Sequence, residues 1–256
     1  YNSIAKVCCK TVIALWYYPI ALNNLGIANR SLGEYQSAMT VLQQTLAIVR
    51  DIGDRPGEAI ALNNLGNVEN SLGNYQQAIE LYEQHLAIAR EIGDQRGEAS
   101  ALGNLGLVYD TLGQHQQALE FHQQTLALFR AVGDRSSEAL ALGNAGLAHY
   151  SLGNYEQAID FYQQSLEIAI DLGERRAQAS ALGNLGTAHH ILGDYAAAID
   201  FHQQALIIDQ EIGDRQGEAS SLSSLGFAYE SLAAYEQAID LYQQSLAIRS
   251  DIGDRL

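Results

Sequence analysis

The chain is poor in the residues that interrupt, crosslink or anchor a protein. It has two prolines in 256 residues, so long helices can run with almost no imposed breaks. Its two cysteines, Cys8 and Cys9, are adjacent. Neighbouring cysteines lack the geometry of a structural disulfide, and no second pair completes a zinc site. No metal or other cofactor is therefore expected, and a reducing, cytoplasmic setting is the expected one. Positive charge is scarce as well: 14 basic residues face 30 acidic ones, for a net charge of −16. Such a surface repels phosphate, which argues against nucleic acid and anionic membranes as partners. The most apolar run, Val12 to Ile20, is too short to span a bilayer. Catalytic motifs are missing too. There is no Gly-x-Ser-x-Gly, no Gly-x-x-x-x-Gly-Lys phosphate loop and no His-Glu-x-x-His, so a non-enzymatic protein is expected.

What the chain does have is one phrase said repeatedly. Ala21-Leu22-Asn23-Asn24-Leu25-Gly26 returns every 40 residues, at Ala61 to Gly66, Ala101 to Gly106, Ala141 to Gly146 and Ala181 to Gly186, and as Ser221 to Gly226. A fixed period of this length marks a solenoid, which grows by stacking. The divisions expected are a divergent N-terminal helix or cap, or the remnant of a preceding repeat, at 1–19, then units near 20–56, 57–96, 97–136, 137–176, 177–216 and 217–256. Residues 1–19 carry Ile4, Val7, Cys8, Val12 and Leu15 at helical spacing, and Pro19 is expected to end that helix. Ile13, Ala14 and Leu15 stand where the other copies have Gly-Asp-Arg.

Within a copy, a first helix from about Gly57 to Leu72 places Leu62, Leu65 and Leu72 on one face. Gly73 supplies a left-handed stop. Asn74 with Gln77, and Asn154 with Gln157, read as capping boxes opening the second helix. That helix ends near Ile92, and Asp94 caps the next. Gly26, Gly66, Gly106, Gly146, Gly186 and Gly226 fall in mid-helix, where glycine costs about 1 kcal/mol against alanine. A cost borne at every copy implies close helix approach there. The column Ala38, Ala78, Ala118, Ala158, Ala198 and Ala238 reads the same way. The histidines His122 and His202 share a column with tyrosines, as do His149 and His189, and are read as packing residues.

These residues resemble the tetratricopeptide repeat. Leu102, Leu105, Gly106 and Tyr109, followed by Ala118 and His122, match its pattern. Leucine replaces the usual tryptophan, and Arg50, Arg90 and Arg130 stand where a closing proline might. The 40-residue unit is similar to the arrays of Pins/LGN-type scaffolds, kinesin light chains and bacterial multidomain signalling proteins. The resemblance implies an all-α fold, a right-handed α-α superhelix whose first helices line a concave groove for peptides or partner proteins.

On that face two columns vary while the rest repeats. Arg30, Asn70, Asp110, Tyr150, His190 and Glu230 follow each glycine by four residues. Ile27, Asn67, Leu107, Leu147, Thr187 and Phe227 follow it by one, so the two columns share a helix face. The specificity residues expected are Arg30, Asn67, Asn70, Leu107, Asp110, Leu147, Tyr150, His190, Phe227 and Glu230. The constant column Asn24, Asn64, Asn104, Asn144 and Asn184 is expected to grip ligand backbone, as the matching residues do in peptide-bound relatives. A carboxamide offers donors and an acceptor together. The competing reading makes those asparagines partners of neighbouring helices. Asn23, Asn63, Gly103, Gly143, Gly183 and Ser223 replace the cations of a carboxylate clamp, so an acidic C-terminus is not the expected ligand.

The expected function is a protein-interaction scaffold holding a peptide or partner helix. Two alternatives remain: an array that self-associates through an uncapped C-terminal end, and a regulatory module of a larger signalling protein.

Overall fold

The computed structural model describes residues 2–253, with side chains from residue 17 onward. Ile4, Val7, Cys8, Val12 and Leu15 thus lie outside the described side chains. Twelve α-helices, and no strand, account for the described residues. They are α1 (Asn2–Ser31), α2 (Tyr35–Asp51), α3 (Arg55–Ser71), α4 (Tyr75–Ile92), α5 (Gln95–Thr111), α6 (His115–Val132), α7 (Arg135–Ser151), α8 (Tyr155–Asp171), α9 (Arg175–Ile191), α10 (Tyr195–Ile212), α11 (Arg215–Ser231) and α12 (Tyr235–Asp251). They form two compact units, one up to Gln114 and one from His115 onward. In each unit every helix packs on the next, and the odd-numbered helices also touch one another.

Turn chemistry produces this alternation. Gly73, at φ +78°, follows α3, and its N–H and that of Asn74 close on the Asn70 and Glu69 carbonyls. Ala233 occupies the corresponding turn after α11 at φ +60°, a left-handed conformation that is strained for any residue with a Cβ. Asp54, Asp94, Asp134 and Asp214 each cap the following helix, accepting from the backbone N–H three residues on. The expected capping boxes do not form. Asn74 makes no capping bond and donates to the Glu69 carboxylate at 2.8 Å, and Asn154 likewise caps nothing. The same position does cap where it is aspartate, as Asp194 accepts from the Ala197 N–H at 3.2 Å, whereas the Asn74 carboxamide is turned to Glu69.

Pro19 also departs from expectation, because α1 runs through it. The glycine that stops other second helices has no counterpart here, since Ile13 stands at that position. The proline ring is buried, and it lies beside Ile20, Thr45 and Val49. Packing there offsets a backbone break that costs about 3 kcal/mol.

The mid-helix glycines do mark close approach. A Cβ on Gly66 would lie 2.6 Å from the Tyr82 ring, and one on Gly146 2.6 Å from Tyr162. Leu42, His202 and Tyr242 cross Gly26, Gly186 and Gly226 in the same way. Around these crossings sit buried clusters such as Ala38, Leu42, Leu65 and Val68 in the first unit, and Ala158, Tyr162, Leu185 and Ala188 in the second.

Ion pairs close the other turn. Arg50 and Arg55 both bond Glu58, and Arg130 and Arg135 both bond Glu138 at 2.9 and 2.7 Å. Burial raises the pKa of each carboxyl, but its two arginine hydrogen bonds outweigh that and hold it below the usual glutamate range. The arginines in place of a closing proline therefore clamp the start of the next helix.

Candidate functional site

The odd-numbered helices bring the asparagine column and the varied columns onto one face in each unit. In the first unit, Asn64 donates to Asn23 Oδ1 and Asn104 to Asn63 Oδ1, both at 2.8 Å. The period is 40 and the bond spans 41, so each carboxamide reaches the residue preceding the matching asparagine one copy earlier. Asn24 is exposed at the start of this row. In the second unit the acceptor position for Asn184 is Gly143, which has no side chain to offer. Among the described residues, the half-buried carboxamides of Asn144 and Asn184 make no hydrogen bond. A Cβ on Gly183 would meet nothing within 4 Å.

The varied residues divide similarly. In the first unit Asn67 accepts from the buried Tyr82 hydroxyl at 2.8 Å, so it acts as a packing partner as well as a surface residue. Burial pushes the Tyr82 pKa up to about 12, which keeps that hydroxyl a donor. Arg30, Asn70 and Asp110 are half-buried, and Leu107 is exposed.

In the second unit Tyr150, Thr187, His190 and Phe227 converge on a cavity of about 280 Å³. The His190 ring lies 4.5 Å from Phe227 and 5.2 Å from Tyr195, and its Nε2 is 2.9 Å from Ser231 Oγ. Burial lowers the His190 pKa, with a smaller opposing effect from the Phe227 backbone, so its imidazole is neutral near pH 7. Tyr150 stacks edge-on against Tyr155 at 5.3 Å. Leu147 is exposed away from this cluster, and Glu230 accepts from the Tyr242 hydroxyl at 2.8 Å.

A second cavity of about 320 Å³ adjoins these residues between α9, α10 and α11. Arg176, Asn184, Thr187, Asp209, Ser221 and Ser224 are among the residues that line it. His202 contributes to both cavities. The imidazole of His202 is 3% exposed, and burial, aided by His190, lowers its pKa to about 4. It is therefore an uncharged floor.

The repeated helix pair, its glycine crossings and its 40-residue period coincide with a family model. The tetratricopeptide repeat model matches residues 17–91, 57–131, 97–171, 137–211 and 177–251. The chain belongs to the tetratricopeptide repeat family. No curated protein sequence matches it. Among solved structures it is similar to BtubC from P. vanneervenii, with TM-score 0.76 and 20% identity over 87% of this chain and 93% of that one. It is also similar to a signal transduction ATPase with a tetratricopeptide repeat sensor from Pyrococcus horikoshii. That match has TM-score 0.78 and 17% identity, over 93% of this chain and 38% of that one. A Rap protein complexed with Competence and Sporulation Factor aligns with TM-score 0.69 and 15% identity, over 91% and 75%. At these identities the likeness speaks for the fold.

Tetratricopeptide repeats typically mediate protein–protein contacts. Among the described residues of this array, no three His, Cys, Asp or Glu side chains converge as metal ligands, and no helix is long and apolar enough to cross a membrane. Within the repeat, one functional candidate escapes the periodic reading. Asp209 is 5% exposed in a column otherwise filled by Val49, Ala89, Phe129, Ala169 and Arg249. A carboxylate breaking a mostly apolar column was the signal that could have found it.

Proposed function

We propose that the chain is a non-enzymatic interaction scaffold that holds a peptide or partner helix along the face of its odd-numbered helices. Asn144 and Asn184 grip ligand main chain, and Tyr150, His190 and Phe227 select side chains. The observation that carries this reading is Asn184: a half-buried carboxamide without a hydrogen bond among the described residues, lining a cavity that adjoins the one walled by the varied residues Tyr150, Thr187, His190 and Phe227. Such a carboxamide bonds water in the free protein and can exchange it for ligand main chain. The Rap protein complexed with Competence and Sporulation Factor shows a related fold with a bound factor. Asn64 and Asn104 grip less, because each has already committed one amide hydrogen to its neighbour.

The test is selection from a displayed library of random twelve-residue peptides, followed by titration of the winners against an Asn144→Ala/Asn184→Ala variant of unchanged helicity. A loss of at least about tenfold is expected, as for removal of buried hydrogen-bond partners. Equal affinity for variant and wild type would sink the assignment.

A second reading, self-association, is favoured by α12. Tyr235, Ile239 and Leu246 are all more than half exposed there, whereas Ile79 and Leu86, the counterparts of the last two, are buried in α4. A contiguous apolar face of this kind suits a protein contact. Light scattering over a concentration series decides it, since a constant monomer mass at high concentration is incompatible with stacking.

A further inference from the structure

The cavity between α9, α10 and α11 carries an unbalanced negative charge. The Asp209 carboxylate is nine-tenths buried. Its Oδ2 accepts from Ser221 Oγ at 2.9 Å, while Oδ1 makes no hydrogen bond. Oδ1 would lie 2.6 Å from a Cβ placed on Gly217, so the absence of a side chain there makes room for it. The two partners depart from the repeat together. Ser221 replaces the alanine of Ala61, Ala101, Ala141 and Ala181, just as Asp209 replaces small or apolar residues.

The neighbouring charges do not neutralise Asp209. Arg176 is bonded to Asp214 at 3.2 Å and points largely into solvent. Glu218 is bonded to Arg215 and accepts from Gln210. Burial raises the Asp209 pKa; the Ser221 hydrogen bond and Arg176 lower it, and Asp214 and Glu218 raise it further. An isolated buried carboxylate is costly unless paired. The carboxylates around it do not form a metal-ligand set. A cavity of about 320 Å³ is at the small end of ligand sites, large enough for a four-carbon chain with a charged head.

We propose that this cavity receives a lysine or arginine side chain of the bound peptide, with Asp209 as its counter-ion and Asn184, Ser221 and Ser224 as hydrogen-bond partners along the way in. The assignment rests on the reading of this face as a peptide site and supplies that site with a charge preference. An acidic side chain is excluded at this position by Asp209 itself. The aromatic cavity beside it, walled by Tyr150 and Phe227, would take the neighbouring residue.

The test uses side-chain analogues, so that it does not depend on knowing the peptide. n-Butylammonium and n-butylguanidinium, with n-butyrate as the control, are titrated into the full chain, and backbone amide shifts are followed by NMR. Saturable shifts at Asp209, Ser221 and Asn184 are expected with the two cations and not with butyrate. Asp209→Asn should weaken the cations at least about tenfold. Asp209→Ala installs the residue found at Ala89 and Ala169, so it should fold and also lose them. Shifts equal for butyrate and the cations, shifts unchanged in Asp209→Asn, or no saturable shift at all would overturn the proposal. Peptides from the display selection separate the two claims. Winners that need Asn184 but carry no basic residue, and that bind Asp209→Asn normally, leave the groove in place and remove the charge preference.

Discussion

In the unit that ends at Gln114, the carboxamides of Asn64 and Asn104 are held by Asn23 and Asn63. In the unit that begins at His115, Gly143 stands at the acceptor position for Asn184, and that carboxamide makes no hydrogen bond among the described residues. The helices, glycine crossings and turns are otherwise alike. One small substitution therefore converts a structural asparagine into an available one. Close to it lie the other departures of the second unit: His202 where the first has Tyr82, Thr187 where it has Asn67, and Asp209 where it has Ala89. The first unit connects its polar groups internally. The second leaves them around cavities.

The largest test of this contrast is acid stability. His202 has a folded pKa of about 4, against about 6.5 in the unfolded chain. A lowered histidine pKa favours the neutral form in the folded state. Its contribution is thus complete above pH 6.5 and is lost as pH falls from 6.5 to about 4. The linkage amounts to about 3 kcal/mol. His202→Tyr copies the Tyr82 and Tyr162 arrangement over the matching glycine. In urea titrations at pH 7 and pH 4, the wild type should lose about 3 kcal/mol more than the variant between the two. His85 in the first unit is also lowered by burial, so the variant keeps some acid sensitivity. Equal losses would mean that His202 is not held neutral.

Next in size is the crossing glycine. Gly146→Ala drives a methyl to 2.6 Å from the Tyr162 ring, and Tyr162 is 2% exposed with no space to retreat. Overpacking of about 1–3 kcal/mol exceeds the helix gain of about 1 kcal/mol. A net loss of up to about 2 kcal/mol in denaturant unfolding is expected, and a gain in stability would show that the crossing is looser than its geometry.

These effects also mark what the sequence made legible. The period, the left-handed turn glycines and the tight glycine crossings follow from local rules, and the cost of mid-helix glycine alone implied the crossings. The pairing of Asn64 with Asn23 did not follow. It depends on the offset between neighbouring repeats, which is set by how helix pairs stack and is not written in either residue. The arginines near the repeat end were visible as a missing proline, but their clamp on Glu58 and Glu138 joins residues eight apart across a turn. Asp209 lies on a second helix, outside the varying columns of the first helices, and only the packing of α10 against α9 and α11 brings it to the cavity that Asn184 lines. Pro19 shows the reverse error, in which a strong local rule was overridden by burial of the ring.

The smallest effect bears most directly on the contrast between the units. Gly183 lies three residues before Gly186 in one helix, yet the space around it is empty while Gly186 meets His202. Gly183→Ala should therefore stabilise the chain by up to about 1 kcal/mol through helix propensity. Gly143→Asn goes further, since position 143 lies 41 residues before Asn184, as Asn23 and Asn63 lie before Asn64 and Asn104, and a Cβ there meets only Ser165 Oγ, at 3.9 Å. Its carboxamide would accept from Asn184, which lines the α9–α11 cavity. If the second unit is open because glycine stands there, Gly143→Asn should match or exceed wild-type thermal stability while weakening selected peptides by about tenfold or more. Stability gained with affinity unchanged would place the ligand elsewhere on the face, and the glycines would then be no more than tolerated gaps in the asparagine row.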